Sequence, residues 1–556
     1  MVSLSSISKN MSGTPLFTNA SFQIFPGEKI GLVGPNGAGK TTLFRIIMGE
    51  VQPDAGSVSV QNNVRIAYFS QSVGDMKGRS ALREVIEGSA RVCELSARLT
   101  SYNDALCDPG LGSEEMETIL AKMGDDQIEF EKLGGFEIET NAKTILGGLG
   151  IFPDEHDKPL EDFSSGWKMR IALARVLIAL PDLILMDEPT NYLDMETILW
   201  LEDWLLNFKG AILMTTHDRD FMNRVVRKIV EVAAGSVTTF SGNYDFYEQE
   251  KSVRLRQNEA EFNRQQSMLK KEETFIARFK ARASHASQVQ SRVKMLAKID
   301  RVELVAENDE MSIELPEIAR GSNDVVVIRA LSKTWKNADG SDKAVFSGLS
   351  ATVHRQDKIA VVGVNGAGKS TFFKTLCGLT APTSGEVIVG PSISMGYFGQ
   401  STIESLDPDR TVFEELQHKL PAAKDAALRN LLAAFLFKGD EVYKKLSFLS
   451  GGEKTRVILS HLLTTPFNCL VLDEPTNHLD IRSREVLLDA LDRYQGTVLL
   501  VSHDRYFLRQ ITNRVFEVDH GRIRVFDGNY EYYLSEKIRL GSMQQVMRAH
   551  PEARLK

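Results

Sequence analysis

Two glycine-rich runs carry the first chemistry in this sequence. Gly34-Pro35-Asn36-Gly37-Ala38-Gly39-Lys40-Thr41-Thr42 recurs as Gly363-Val364-Asn365-Gly366-Ala367-Gly368-Lys369-Ser370-Thr371. Glycines at these spacings let successive backbone N–H groups close around phosphate oxygens, and a helix beginning at the lysine turns its positive end to the anion. The first run lies between the apolar stretch ending Leu32-Val33 and a helical stretch from Thr42, the context a phosphate loop requires. Lys40 and Lys369 suit the β and γ phosphates of a nucleoside triphosphate, and the Thr41 and Ser370 hydroxyls suit Mg²⁺. One such loop alone is shared by many nucleotide enzymes.

Carboxylates narrow the choice. Leu183-Ile184-Leu185-Met186-Asp187-Glu188 reads as a buried strand ending in two acids, matched later by Asp473-Glu474. Asp187 is placed to hold Mg²⁺, and Glu188 to orient an attacking water. His217 follows the apolar run Ala211–Met214 and precedes Asp218-Arg219. Its counterpart His503 sits in Ser502-His503-Asp504-Arg505. A histidine at a strand end is often structural, but the repetition favours a contact with the γ-phosphate. Leu449-Ser450-Gly451-Gly452-Glu453 opens another helix, a second anion-binding terminus.

These residues sit in a duplicated chain. Lys40 and Lys369, and likewise Gln71 and Gln400, are 329 residues apart. Beyond them the offset is 286, linking Ser164 to Ser450, Asp187 to Asp473 and His217 to His503. The first half therefore carries a 43-residue insertion, within a helical stretch from about Ser80 to Thr144. The stretch Asp108-Pro109-Gly110-Leu111-Gly112 is its turn. The insertion reads equally as a surface hairpin or as an arm that touches a partner. Between the repeats, residues 243–305 have few breakers and predict two long antiparallel helices turning near Ala283–Ser287. The first, of some 35 residues, would extend about 50 Å. Arg278, Lys280, Arg282, Arg292 and Lys294 cluster near that turn and suit a polyanion better than a merely solvated face. The division expected is 1–242, 243–305, 306–536 and a tail of 537–556.

Composition sets limits. The 556 residues are 42% hydrophobic and 25% charged, with a net charge of −8. This suits sizeable cores and argues against general coating by nucleic acid, but not against one basic patch. Four cysteines form no CxxC pair and read as buried thiols of a reducing, cytoplasmic compartment. No secretory pattern opens the chain. Val176–Met186, one of the longest apolar stretches, is broken by Pro181 and Asp182.

Leu-Ser-Gly-Gly followed by Leu-Asp-Glu-Pro-Thr resembles the signature and Walker B segments of ATP-binding-cassette ATPases. The resemblance implies an α/β fold: two phosphate-loop domains joined by a long helical hairpin and packed head to tail within one chain. Each signature would then complete the opposite site. Site one would join Lys40, Thr41, Gln71, Asp187, Glu188 and His217 to Ser450, Gly451 and Gly452. Site two would join Lys369, Ser370, Gln400, Asp473, Glu474 and His503 to Ser164 and Gly166. Gln71 and Gln400 would share in holding Mg²⁺. Ser165 departs from the family's glycine, which is expected to slow site two. Trp335 is the expected adenine-stacking aromatic, with Met11 in the matching place of the first half.

Two cassettes, a basic helical linker, Asp187–Asp194 (DEPTNYLD), Asp473–Asp480 (DEPTNHLD), Ser165–Arg170 and Gln288–Lys294 resemble the ABC-F translation factors across nearly the whole chain. That resemblance implies ATP-gated binding at the ribosomal tRNA exit site, with the linker toward P-site tRNA and ribosomal RNA. It also implies the arm facing the L1 stalk region, and a short linker turn suits a housekeeping role rather than antibiotic resistance. The rivals are the ATPase subunit of a membrane transporter, which leaves the basic linker without a task, and a cassette-type DNA-repair ATPase, whose zinc cysteines have no match here.

Overall fold

A computed structural model of the chain describes residues 1–11, 14–70, 76–107, 112–233, 235–279, 286–296, 313, 315–336, 341–437, 439–477, 479–519 and 521–539. Gln71, Lys280, Arg282 and residues 108–111 and 283–285 of the two expected turns lie outside the described residues.

Each half folds the same way. Strands Leu183–Asp187 and Ala211–Thr215 are buried at every position, as a parallel sheet covered on both faces demands. The first large sheet runs Ile66–Phe69, Leu183–Asp187, Ala211–Thr215, Lys29–Val33, Lys228–Ala233, Ser236–Ser241, and only the last pair is antiparallel. The second half repeats this with Met395–Phe398, Cys469–Asp473, Thr497–Val501, Lys358–Val362, Arg514–Asp519 and Arg522–Phe526. Three antiparallel strands form a smaller sheet in each half. The fold class is α/β with two nucleotide-binding sheets.

The helix Lys40–Ile47 buries Leu43, Phe44, Ile46 and Ile47. That anchoring fixes its N-terminus at the carboxyl end of the strand Lys29–Val33. Open parallel sheets bind ligands at this edge. The strand ends at Asp187 and Thr215 lie beside it, because Asp187 pairs in register with Thr215.

Two elements depart from the core. Helices Ala90–Leu106 and Ser113–Lys132 pack together over Val92, Leu95 and Phe130. Arg91–Glu129 at 2.6 Å and Arg98–Asp126 at 2.8 Å tie their surfaces. In the second half the helix Val412–Lys419 is followed closely by Asp425–Ala434, so the step in the repeat offset falls on this hairpin. The helix Tyr244–Phe279 is 36 residues long, about 54 Å at 1.5 Å per residue. Buried Tyr244 and Tyr247 root it in the first half's core. The helix Ala286–Leu296 folds back along it, with Arg292 2.6 Å from Glu272 and over the Phe275 ring at 3.9 Å. The described part of this second helix is 11 residues, far shorter than its mate.

The halves face each other. Met195 packs on the second half's core and its counterpart Ile481 on the first's. Among the described residues no helix is long and apolar enough to cross a membrane.

Candidate nucleotide sites

The phosphate loops follow the strands they were expected to follow. Gly34 has φ 154° and Gly363 φ 151°. A Cβ on Gly34 would meet the Val232 carbonyl oxygen at 2.2 Å, and one on Gly363 the Val518 oxygen at 2.3 Å. Glycine is required at both. Around Gly37 and Gly366 nothing lies within 4 Å of where a Cβ would stand, so the loop crests are open. Lys40 Nζ donates to the carbonyls of Gly34 at 2.7 Å and Pro35 at 3.0 Å. Lys369 does the same to Gly363 and Val364 at 2.7 and 3.1 Å. Burial lowers both lysine pKa values, and the surrounding carboxylates oppose it; for Lys40 these are Glu188, Asp187 and the opposite half's Asp480.

The acids converge on the hydroxyls. Thr41 Oγ1 donates to Asp187 Oδ2 and Thr215 Oγ1 to Asp187 Oδ1, each at 2.7 Å. In the second half burial raises the Asp473 pKa while Ser370 opposes it. Glu188 and Glu474 sit in the left-handed region at φ 55° and 54°, a backbone cost that concentrates at functional positions. The Glu188 N–H donates to the Thr215 carbonyl at 3.1 Å, and the Glu474 N–H to Val501 at 2.9 Å. This geometry turns the carboxylates toward the histidines. His217 Nε2 lies 3.3 Å from Glu188 Oε1, and His503 Nε2 lies 3.1 Å from Glu474 Oε1, without the alignment of a hydrogen bond. Burial pushes both glutamates up to about 7. It lowers His503 to about 3 and His217 well below its ordinary value.

Buried oxygens with no hydrogen-bond partner among the described residues test whether Mg²⁺ and a triphosphate fit. They are Glu188 Oε1, Asp473 Oδ1 and both Glu474 carboxylate oxygens. Hard anionic oxygens beside a hydroxyl and a lysine are the donor set Mg²⁺ and phosphate need, and the residues fit.

Site two is built from both halves. A cavity of ≈ 530 Å³ is lined by Ser164, Gly166, Trp167 and Arg170 from the first half. Asn365, Gly366, Gly368, Lys369, Ser370, Thr371, Asp473, Glu474, His503 and Trp335 line it from the second. The Asn365 N–H donates to Asp194 Oδ2 and its side chain to the Tyr192 carbonyl, both at 3.2 Å. Trp335 is 45% exposed, with Lys333 Nζ 4.2 Å from its ring centre. Met11, its counterpart, is exposed at the end of the strand Val2–Met11. Gln400 is exposed and does not line this cavity.

Site one differs. Its described cross-half bond comes from Arg484, whose Nη1 donates to the His217 carbonyl at 3.1 Å. Ser450 is engaged in its own helix: its hydroxyl donates to Glu453 Oε2 at 2.7 Å and accepts the Glu453 N–H at 3.3 Å. Ser164 caps its helix without such a bond, because Trp167 stands where Glu453 would. Gly451 is exposed and Gly452 buried at that helix start. Thr42, Asn36 and Gly39 lie in the first loop and the helix it opens.

Sequence reading missed Arg170 and Arg484. Arg170 was legible only as part of a motif. Arg484 is legible only as a difference between repeats, since its counterpart is Ile198.

Paired phosphate loops, strand-end acids and a cavity shared between halves define a tandem-cassette ATPase. A family model described as ABC transporter matches residues 17–191 and 346–477, and a second of the same description matches 230–315. The chain is 35% identical over 97% of its length to ABC transporter F family member 5 of Arabidopsis thaliana, covering 78% of that protein. It is 35% identical over 96% to probable ATP-binding protein YheS of Escherichia coli K12, covering 81%. It is 33% identical over 97% to probable ATP-binding protein YbiT of Escherichia coli O157:H7, covering 99%. A solved structure of RNase-L Inhibitor superposes with TM-score 0.59 at 19% identity, covering 96% of this chain and 93% of that one. An archaeal ribosome recycling factor in complex with a ribosomal stalk protein gives 0.61 at 18%, covering 96% and 92%. At those identities the likeness is one of fold. The chain belongs to the F family of ATP-binding-cassette proteins and is an ATPase.

Proposed function

We propose that ATP-driven closure of the two cassettes gates binding to the ribosome at the tRNA exit site, and so regulates translation. The observation that carries the reading is the helix Tyr244–Phe279, which is rooted in the first cassette and carries Arg278 in its last turn, with Arg292 and Lys294 on the returning helix Ala286–Leu296; Lys280 and Arg282 fall between them in the sequence. Phosphate backbones are recognised by such groups electrostatically. Two tandem-cassette fold neighbours have ribosomal partners, one in complex with a ribosomal stalk protein and one ribosome-bound, which supports the class of partner. Ribosomal RNA and P-site tRNA are the surfaces the linker would meet. The chain would act in the cytoplasm as a single copy, its own cassettes forming the pair.

Lys40 and Lys369 would hold the β and γ phosphates. Thr41 with Asp187, and Ser370 with Asp473, would hold Mg²⁺, joined by Gln71 and, once it turns into the cavity it does not line here, by Gln400. Bound there, Mg²⁺ neutralises charge developing on the phosphates. Glu188 and Glu474 orient the water, and their buried, otherwise unpartnered oxygens leave them available to do so. His217 and His503 face the γ-phosphate. Ser164 and Gly166 close site two; Ser450, Gly451 and Gly452 close site one once Ser450 leaves Glu453. The division into 1–242, 243–305, 306–536 and 537–556 follows, with the arm as a ribosome-facing insertion.

Changing Glu188 and Glu474 together to Gln is expected to keep ATP bound and stop hydrolysis. The double variant is expected to co-sediment with ribosomes in ATP, more completely than the unaltered chain. A variant that binds ATP yet stays in the supernatant at low salt overturns the ribosomal reading.

A further inference from the structure

The two halves share a fold but not the arginines they turn toward each other. Arg170 and Arg456 occupy the same place in the repeat, as do Ile198 and Arg484. In the first half Arg170, 2% exposed, donates to Asp194 at 3.1 Å and to the Tyr192 carbonyl at 3.0 Å. Asp194 and Tyr192 in turn bind Asn365 of the opposite phosphate loop, so Arg170 braces site two. Its mate Arg456 lies over the Phe437 ring at 4.8 Å. In the second half the helix Ile481–Arg493 supplies Arg484 instead. The matching Ile198 is buried and apolar.

Arg484 reaches from the second half into site one. Its Nη1 donates to the His217 carbonyl at 3.1 Å and to Asp504 Oδ2 at 2.8 Å, and its Nε to the Leu479 carbonyl at 3.1 Å. Its side chain is 13% exposed. A charge so placed is weakly screened, and its bond to a backbone carbonyl fixes the segment carrying His217 against Glu188. Asp504 caps the helix Arg505–Ile511 through its other oxygen, so this bond anchors the guanidinium in its own half and the His217 carbonyl is the contact it makes across.

We propose that Arg484 is a positioning residue for hydrolysis at site one, acting from the opposite cassette by holding the His217 segment against Glu188. Site two has no such arginine at the matching place and depends on Arg170 instead. The two sites are therefore unequal by construction. The inference rests on the reading of Glu188 and His217 as site one's chemistry.

The test uses the full chain in two backgrounds. Glu474→Gln leaves site one to hydrolyse, and Glu188→Gln leaves site two. Arg484→Ile, the first half's own residue, is added to each, with single-turnover hydrolysis and ATP affinity measured. In the Glu474→Gln background the rate is expected to fall about tenfold or more, the scale of a displaced catalytic group. ATP affinity should change less than about threefold, since ground-state binding is not removed. The loss in the Glu188→Gln background should be several times smaller. Arg484→Lys, which keeps the charge and one donor, should restore part of the site-one rate. Equal losses in both backgrounds, loss of affinity with the rate kept, or no recovery with lysine overturns the inference. If either single Gln variant abolishes all turnover, the Arg484→Ile rate in the otherwise unaltered chain decides, and an unchanged rate overturns the inference. Should Glu188→Gln leave site one hydrolysing, the assignment of Glu188 fails instead.

Discussion

At the scale of single residues, chemistry is set by backbone shape before side chains act. Gly34 and Gly363 hold φ values that admit almost nothing but glycine, with a carbonyl oxygen where a Cβ would go. Gly34→Ala is expected to cost about 1–3 kcal/mol of local strain and to weaken ATP binding. A thermal melt and a nucleotide titration check both, and Gly37→Ala, which shares a left-handed backbone at φ 81° but has open space around its Cβ, separates backbone strain from the clash with a carbonyl oxygen. Glu188 and Glu474 carry strain of the same kind at φ near 55°, set by N–H bonds to the neighbouring strand's end. The glycine spacing and the lysines were legible because phosphate binding needs them close together along the chain, and the acids, far off in sequence, because each pair ends an apolar strand run that occurs twice. That Ser450 bonds to Glu453 while Ser164 does not was legible only as a Glu453/Trp167 difference without a meaning.

At the scale of elements, the arm and the linker differ in how they attach. The arm has its own small core of Val92, Leu95 and Phe130, and the second half folds without an equivalent. Replacing Ala90–Lys132 by a short link is therefore expected to leave the cassette folded, with a thermal midpoint within about 5 °C of the parent and hydrolysis retained. A collapse of either would place the arm within the cassette's core. The linker's charges divide as well. Arg292 is committed to Glu272 and Phe275, so a change there unsettles the hairpin before it touches a partner. Lys294 and Arg278 are exposed and are reversed together. Reversing both should weaken ribosome binding and flatten its salt dependence by roughly 0.7–0.9 log units per lost phosphate contact. Unchanged binding would remove these two from the interface.

At the scale of the whole molecule, the halves are joined by a buried charge cluster that breaks the repeat's symmetry. Glu202 is 0% exposed and meets Arg505, which also faces Asp218 and Asp220; Arg509 lies 2.9 Å from Asp220. Burial pushes Asp218 up to about 6, and Arg505 opposes it. The mirror position differs: Arg219 pairs with Asp245 and Glu248 of its own half and stacks over Tyr506 at 4.7 Å. Without Arg505, buried Glu202 keeps only the partly exposed Arg224, 2.7 Å away, and Asp218 loses the guanidinium that faces it. Arg505→Met is expected to cost about 3–5 kcal/mol, read as a lowered thermal midpoint. The double change with Glu202→Met should recover part of that loss, because no buried carboxylate is then left to Arg224 alone.

The sequence by itself determined the duplication, the two phosphate loops, the strand-end acids, the arm's place and the helical linker. Each is a local pattern, written twice or bounded by a change of period, and local patterns survive without neighbours. Tertiary structure alone decided which arginine faces which site. Arg170 and Arg456 are the same residue at the same place in the repeat, yet one braces an opposing phosphate loop and the other covers a phenylalanine. A long charged side chain goes where the facing surface offers partners, and that surface comes from residues hundreds of positions away.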